Sequence, residues 1–133
     1  MNIFLNSVLR LFLLFSLGLC TPILHAQSDS FPNKAVTLIV PFPAGGSADA
    51  MSRSLAQKLS ARWKQAVIVV NRPGAGTTIG LNATATAAPD GYTIGMNSIS
   101  HIVQPAVRAK LPYDSVTDFT FISKVLEAPF VLT

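Results

Sequence analysis

The segment Pro41-Phe42-Pro43-Ala44-Gly45-Gly46-Ser47-Ala48-Asp49 combines residue types that suit anion binding. Two adjacent glycines let the backbone turn sharply and approach a ligand closely. Ser47 or Asp49 can cap the helix expected to follow. A loop of this kind, set between a strand and a helix, presents free N–H groups at a positive helix end. That suits a carboxylate as well as a phosphate. Two later stretches offer further polar groups: Asn71-Arg72-Pro73-Gly74-Ala75-Gly76-Thr77-Thr78 and Ser98-Ile99-Ser100-His101.

Other chemistries fit the residues less well. Gly74, Gly76 and Gly80 invite a nucleotide reading, but the last spacing is one residue too long for the dinucleotide fingerprint. The acidic residue expected about 20 positions on is missing, and no Gly-Lys-Ser/Thr loop occurs. These glycines equally serve a tight turn and close helix packing. His101 is the only histidine after residue 26. It can be a packed or capping residue, a donor to a ligand, or a catalytic base. Neither Ser98 nor Ser100 lies in a G-x-S-x-G elbow. Asp114 and Asp118 could pair as acids for hydrolysis, although residues so placed more often cap turns. No cluster of His, Asp or Glu has metal-ligand spacing, and no cofactor is implied.

The elements that must position these residues alternate between strand and helix. Val36-Thr37-Leu38-Ile39-Val40 is a continuous β-branched and apolar run, as in a strand buried on both faces. Met51, Leu55, Leu59 and Trp63 recur every four residues and mark the buried stripe of a first helix. Val67-Ile68-Val69-Val70 reads as a second buried strand. A small-residue helix is expected from about Ile79 to Ala87, closed by the turn Pro89-Asp90-Gly91. Tyr92 to Met96 forms a third strand, and a short helix after its exit loop runs to about Ala109. Phe119 to Val125 reads as extended, and Val131-Leu132-Thr133 as the start of a strand. Such alternation implies an α/β fold with a mostly parallel sheet, whose ligands collect at the carboxyl ends of the strands.

The chain has 133 residues, a formal charge of +4 and one cysteine, Cys20. Arg10 followed by the short apolar run over residues 11–19, with a small residue at Ala26, reads as a secretory signal peptide over residues 1–26. The residue before Cys20 is Leu19, which argues against lipid attachment. Residues 27–133 then carry a charge of +3 and no thiol. The basic residues form no dense run and lack interleaved aromatics, so nucleic-acid binding is not expected. No later segment is apolar for long enough to span a membrane, so the product is expected in the periplasm.

Together the motifs resemble the periplasmic substrate-binding proteins of tripartite tricarboxylate transporters, often called Bug proteins. The resemblance runs over residues 31–133. It rests on Phe31-Pro32-Asn33-Lys34, Ile39-Val40-Pro41-Phe42-Pro43-Ala44-Gly45-Gly46, Asp49, Arg53, Asn71-Arg72-Pro73-Gly74-Ala75-Gly76, Ile79-Gly80, Pro89-Asp90-Gly91-Tyr92-Thr93, His101, Pro105 and Leu111-Pro112-Tyr113-Asp114. It implies a Venus-flytrap protein that closes two lobes on a small carboxylate and delivers it to membrane components of the transporter. By the same resemblance, Phe42, Pro43, Ala44, Gly45, Gly46, Ser47 and Asp49 line the ligand site. Thr77, Thr78, Ser98, Ser100 and His101 join them from the second and third loops. Two departures stand out: Thr77 replaces a frequent Gly, and Val107-Arg108 replaces a frequent Leu-Tyr pair. Family members are more than twice as long, so residues 27–133 are expected to form an incomplete first lobe, with the second lobe missing from this chain.

The reading is of a solute-binding protein rather than an enzyme. A secreted α/β hydrolase or lyase using His101 is the alternative, and a purely structural exported domain a third. The export signal is directly testable: intact-mass analysis of exported protein should find a chain beginning near Gln27 without a lipid. A retained N-terminus or an acylated Cys20 would contradict it.

Overall fold

The computed structural model describes residues 30–127. The expected signal peptide over 1–26, with Cys20, and the expected strand at 131–133 lie outside the described residues. Three strands form one parallel sheet: β1 (Val36–Val40), β2 (Val67–Asn71) and β3 (Thr93–Gly95), in the order β2-β1-β3. Val36 pairs with Val67 and Val40 with Asn71 on one side of β1, while Thr37 pairs with Thr93 on the other. The helices are α1 (Ser47–Trp63), α2 (Thr78–Ala85) and α3 (Ser100–Val107), with a single 3-10 turn at Ala75–Thr77 before α2.

β1 lies where its sequence places it, in the centre. Val36 and Val40 are fully buried, and Leu38 and Ile39 nearly so. A central parallel strand covered on both faces has no room for the polar alternation of a half-solvated one. Leu38 and Val40 pack with Ala56 of α1 as the core, flanked by Phe42, Val67, Val69, Ile94 and Met96. Removing the Leu38 side chain from such a site costs about 2–5 kcal/mol.

Four sequence expectations shift. β2 is an edge strand, half-buried, with Ile68 exposed, because β3 takes the other side of β1. On α1 the residues deepest against the sheet are Asp49, Ser52 and Ala56, one step round from the expected stripe. Met51, Leu55, Leu59 and Trp63 flank that line and are only half-buried. Small side chains lie under the helix axis, where backbone and sheet come closest, and larger ones splay to either side. The helix after β3 starts at Ser100 and stops at Val107, so Ser100 and His101 belong to it rather than to the loop. Residues 119–125 form no strand.

The amino-terminal edge of the sheet is closed by aromatic contacts. The Phe31 ring meets Trp63 edge-on at 6.3 Å between centroids and Tyr92 at 5.0 Å. At the opposite edge α2 comes very close to the strand ends. A Cβ on Gly80 would lie 2.7 Å from the Pro41 Cβ and 2.8 Å from the Arg72 carbonyl oxygen. Helix propensity alone favours Ala over Gly in a helix interior by about 1 kcal/mol. Overpacking against backbone costs about 1–3 kcal/mol. The clash therefore wins, and Gly80→Ala is expected to lower stability in urea denaturation. A rise would show that α2 can move off the sheet.

Candidate functional site

Parallel strands bring the three loops of interest to one edge. β1 runs into residues 41–46 and then α1; β2 runs into 72–77 and then α2; β3 runs into 96–99 and then α3. The connection from β1 goes out to β2, whereas the connection from β2 crosses back past β1 to β3. Such a reversal opens a crevice between the loops after β1 and β3, the usual place for a ligand in α/β sheets.

In the first loop, Gly45 adopts φ +86°, and a Cβ built on it meets no atom within 4 Å. Gly46 is the N-cap of α1, in extended conformation and without a side-chain cap. Neither Ser47 nor Asp49 serves as N-cap, contrary to expectation. The amides of the first helical turn have no intrahelical acceptors. Pro43, Ala44, Gly45, Gly46 and Ser47 are exposed around them, and Phe42 is half-buried against the core.

Asp49 stands apart from the other residues of this loop. It is buried, and both carboxylate oxygens are engaged within the protein. Oδ2 accepts from the Gly45 amide at 2.9 Å and from Arg53 Nε at 3.0 Å. Oδ1 accepts from Asn71 Nδ2 at 2.9 Å. The same Asn71 Nδ2 donates to the Phe42 carbonyl at 3.1 Å, and Arg53 donates to Asn71 Oδ1 at 3.2 Å. Hydrogen bonding from Arg53, then from the Gly45 amide and Asn71, holds the Asp49 carboxyl well below the usual carboxylate range.

Thr77, which ends the second loop, and Thr78, which begins α2, are buried, and their hydroxyls have no hydrogen-bond partner among the described residues. Thr77 sits at φ +82°, a conformation that its branched side chain disfavours. Two side chains, one in α3 and one just after it, hold this loop from outside. Gln104 Nε2 donates to the Gly76 carbonyl at 2.8 Å, and Arg108 donates to the Ala75 carbonyl at 3.0 Å. Arg108 Nε also donates to Gln104 Oε1.

In the third loop Ser98 is exposed, and Ser100, the first residue of α3, is half-buried, with the Ser98 Oγ accepting the Ser100 amide at 3.3 Å. His101 is buried, and its Nε2 lies 2.7 Å from the Ser115 carbonyl. A carbonyl only accepts, so Nε2 carries the proton. The ring stacks on Tyr113 and meets Phe119 and Phe121 edge-on. This geometry fits a packed histidine. Asp114 and Asp118 cap one turn: Asp114 Oδ1 accepts the amides of Val116 and Thr117, and Asp118 Oδ2 accepts that of Asp114.

The sequence reading named the loops but missed Asn71, Gln104 and Arg108 as the groups that fasten them. Two signals were present. Asp49 and Arg53 stand four residues apart on α1, and Gln104 and Arg108 four apart at the end of α3, a spacing at which side chains meet.

Comparison with known proteins shows the family and the fold type. Residues 51–133 match the family described as tripartite tricarboxylate transporter family receptor. The chain belongs to this receptor family. Protein BugT of Bordetella pertussis is 40% identical over 117 residues, covering 86% of this chain and 35% of the relative. The solved structure of periplasmic binding protein BugD superposes with a TM-score of 0.64 at 37% identity, over 67% of this chain and 30% of that one. MatC from Rhodopseudomonas palustris, solved with bound malate, gives a TM-score of 0.64 at 35% identity, over 68% of this chain and 31% of that one. The chain thus spans about a third of the length of the relatives it matches. The fold is the α/β periplasmic-binding-protein type that the sequence suggested, here as three parallel strands with their helices.

The Asp49 network sets a pH dependence. Its folded-state pKa is depressed, so its contribution to stability is fully present above the unfolded value, about 3.9. It is lost as pH falls from there towards the depressed value. Asp114, also lowered by the amides of Thr117 and Val116, adds to the same window. Denaturation midpoints should fall below pH about 4, and less steeply in Asp49→Asn. Equal slopes would remove Asp49 from the acid response.

Proposed function

We propose that this chain is the carboxylate-capturing part of a periplasmic solute-binding protein. It would take up a small di- or tricarboxylate, or a related organic acid, for the membrane components of a tripartite tricarboxylate transporter. The observation that carries the reading is the amino end of α1. Its N-cap is a glycine, no side chain caps it, and exposed backbone surrounds it at the carboxyl edge of the central strand. Backbone amides at a helix N-terminus fit a carboxylate, and the uncovered space in front of Gly45 lets it approach. Family membership and the malate bound to MatC support the same ligand class.

Within this reading Phe42, Pro43, Ala44, Gly45, Gly46 and Ser47 form the carboxylate loop. Thr77 and Thr78 offer hydroxyls from the second loop. Ser98, Ser100 and His101 shape the third wall. The reading includes no catalytic step. His101 directs its Nε2–H at the Ser115 carbonyl rather than at a serine hydroxyl, which speaks against the hydrolase or lyase alternative. Removal of residues 1–26 on export would leave the product in the periplasm and not embedded in the membrane. No helix among the described residues is long and apolar enough to cross one.

Calorimetric titration with malate tests the site. Gly45→Val and Gly46→Val place branched side chains at the loop's turn, the first of them at a positive φ. Each is expected to weaken malate binding by about tenfold or more, equivalent to about 1.4 kcal/mol. Unchanged affinity in both would exclude this loop from the site.

A further inference from the structure

A buried carboxylate is a poor neighbour for an anion site. Asp49 lies in the first turn of α1, beside the amides that the proposed site uses, and its charge opposes a carboxylate ligand. Its contacts show what it does instead. Asp49 grips the Gly45 amide at one end of the exposed loop. Asn71, reaching across from the end of β2, grips the Phe42 carbonyl at the other. The two gripping side chains bond to each other, which fixes the orientation of both. Arg53 closes the ring by donating to each of them, and its guanidinium balances the Asp49 charge. Pro41 and Pro43 on either side of Phe42 restrict the backbone between the two grips. The amides of the first turn beyond Gly45 are left clear of this network.

We propose that Asp49 and Asn71 are positioning residues that hold the 41–46 loop in one ligand-ready shape before a ligand arrives, with Arg53 neutralising the charge this requires. The inference rests on the reading of this loop as the carboxylate site. It fixes the sign of one experiment. Coulomb's law alone says that Asp49→Asn, by removing a negative charge next to an anion site, should tighten malate binding. Positioning says that the same substitution weakens it.

The test is two-dimensional NMR on the 15N-labelled full chain, with and without malate. Without ligand, the Gly45 amide should exchange at least about tenfold more slowly than the Ala44 amide. Its resonance should also stay unchanged through the ordinary aspartate range near pH about 4. A substitution at a merely structural residue elsewhere in α1 would leave the Gly45 exchange rate as it is. In Asp49→Asn and in Asn71→Ala the protection should fall by about tenfold, with shifts in residues 42–46 beyond those around the substituted residue and its bonded partners. The amides of Leu38 and Val40 report that the sheet remains folded in both variants. With malate, the Ser47 and Ala48 amides should respond in the wild type, and about tenfold more ligand should be needed in Asp49→Asn. Tighter or equal binding by Asp49→Asn, a freely exchanging Gly45 amide, or a Gly45 resonance that titrates at the ordinary aspartate value would each overturn the positioning role. A wild type whose amides ignore malate would instead remove the carboxylate reading, and the exchange data would still decide whether Asp49 and Asn71 set the loop.

Discussion

A strand that is buried on both faces can satisfy its backbone only through neighbours in the same sheet, and β1 meets that demand on both edges. Its partners run parallel to it, so each must be reached by a crossover that starts at the carboxyl edge. Every helix therefore begins where a strand has just ended. This one constraint gathers the polar loops and the helix amino ends on a single side of the sheet. It also separates an aromatic pole from a polar pole of loops. Phe31, Trp63 and Tyr92 close the first, and the Gly- and Ser-rich turns form the second.

The polar pole is fastened from within. Side chains that leave one element and end on the backbone of another do most of the holding. Asn71 at the end of β2 reaches the first loop, and Gln104 of α3 and Arg108 just after it reach the second. Consequently the first loop is tied to β2, and the second to the helix that follows β3. Arg108 acts as a clamp on the Ala75 carbonyl. His101 anchors the segment after α3 through Ser115 and through its contacts with Tyr113, Phe119 and Phe121.

Much of this was legible in the residues, for identifiable reasons. Val36 to Val40 declared a doubly buried strand because burial on both faces leaves its mark on every position. The glycines at 45, 46, 74 and 76 declared their loops because few other residues turn so tightly. The buried line of α1 was misread because large apolar residues draw attention, whereas Ser52 and Ala56 lie nearest the sheet. β2 was misread because edge status depends on strand order, which the strand itself does not record. The fastening bonds were not legible because they join residues far apart in the chain: 22 residues separate Asn71 from Asp49, and 33 separate Arg108 from Ala75. Only their helical halves, four residues apart, carried a local signal.

The closure at the aromatic pole has an optical consequence. Trp63 is the only tryptophan of the chain, and it ends α1 against Phe31, beside the start of β2. A five-residue strand is about 16 Å long, so the indole stands a full strand length away from the turns at the opposite edge. Its emission therefore monitors the fastening of the amino-terminal segment to the sheet and is nearly blind to events among the loops. A change in tryptophan fluorescence reads as loosening of the scaffold, and an event at the polar pole needs a chromophore placed there.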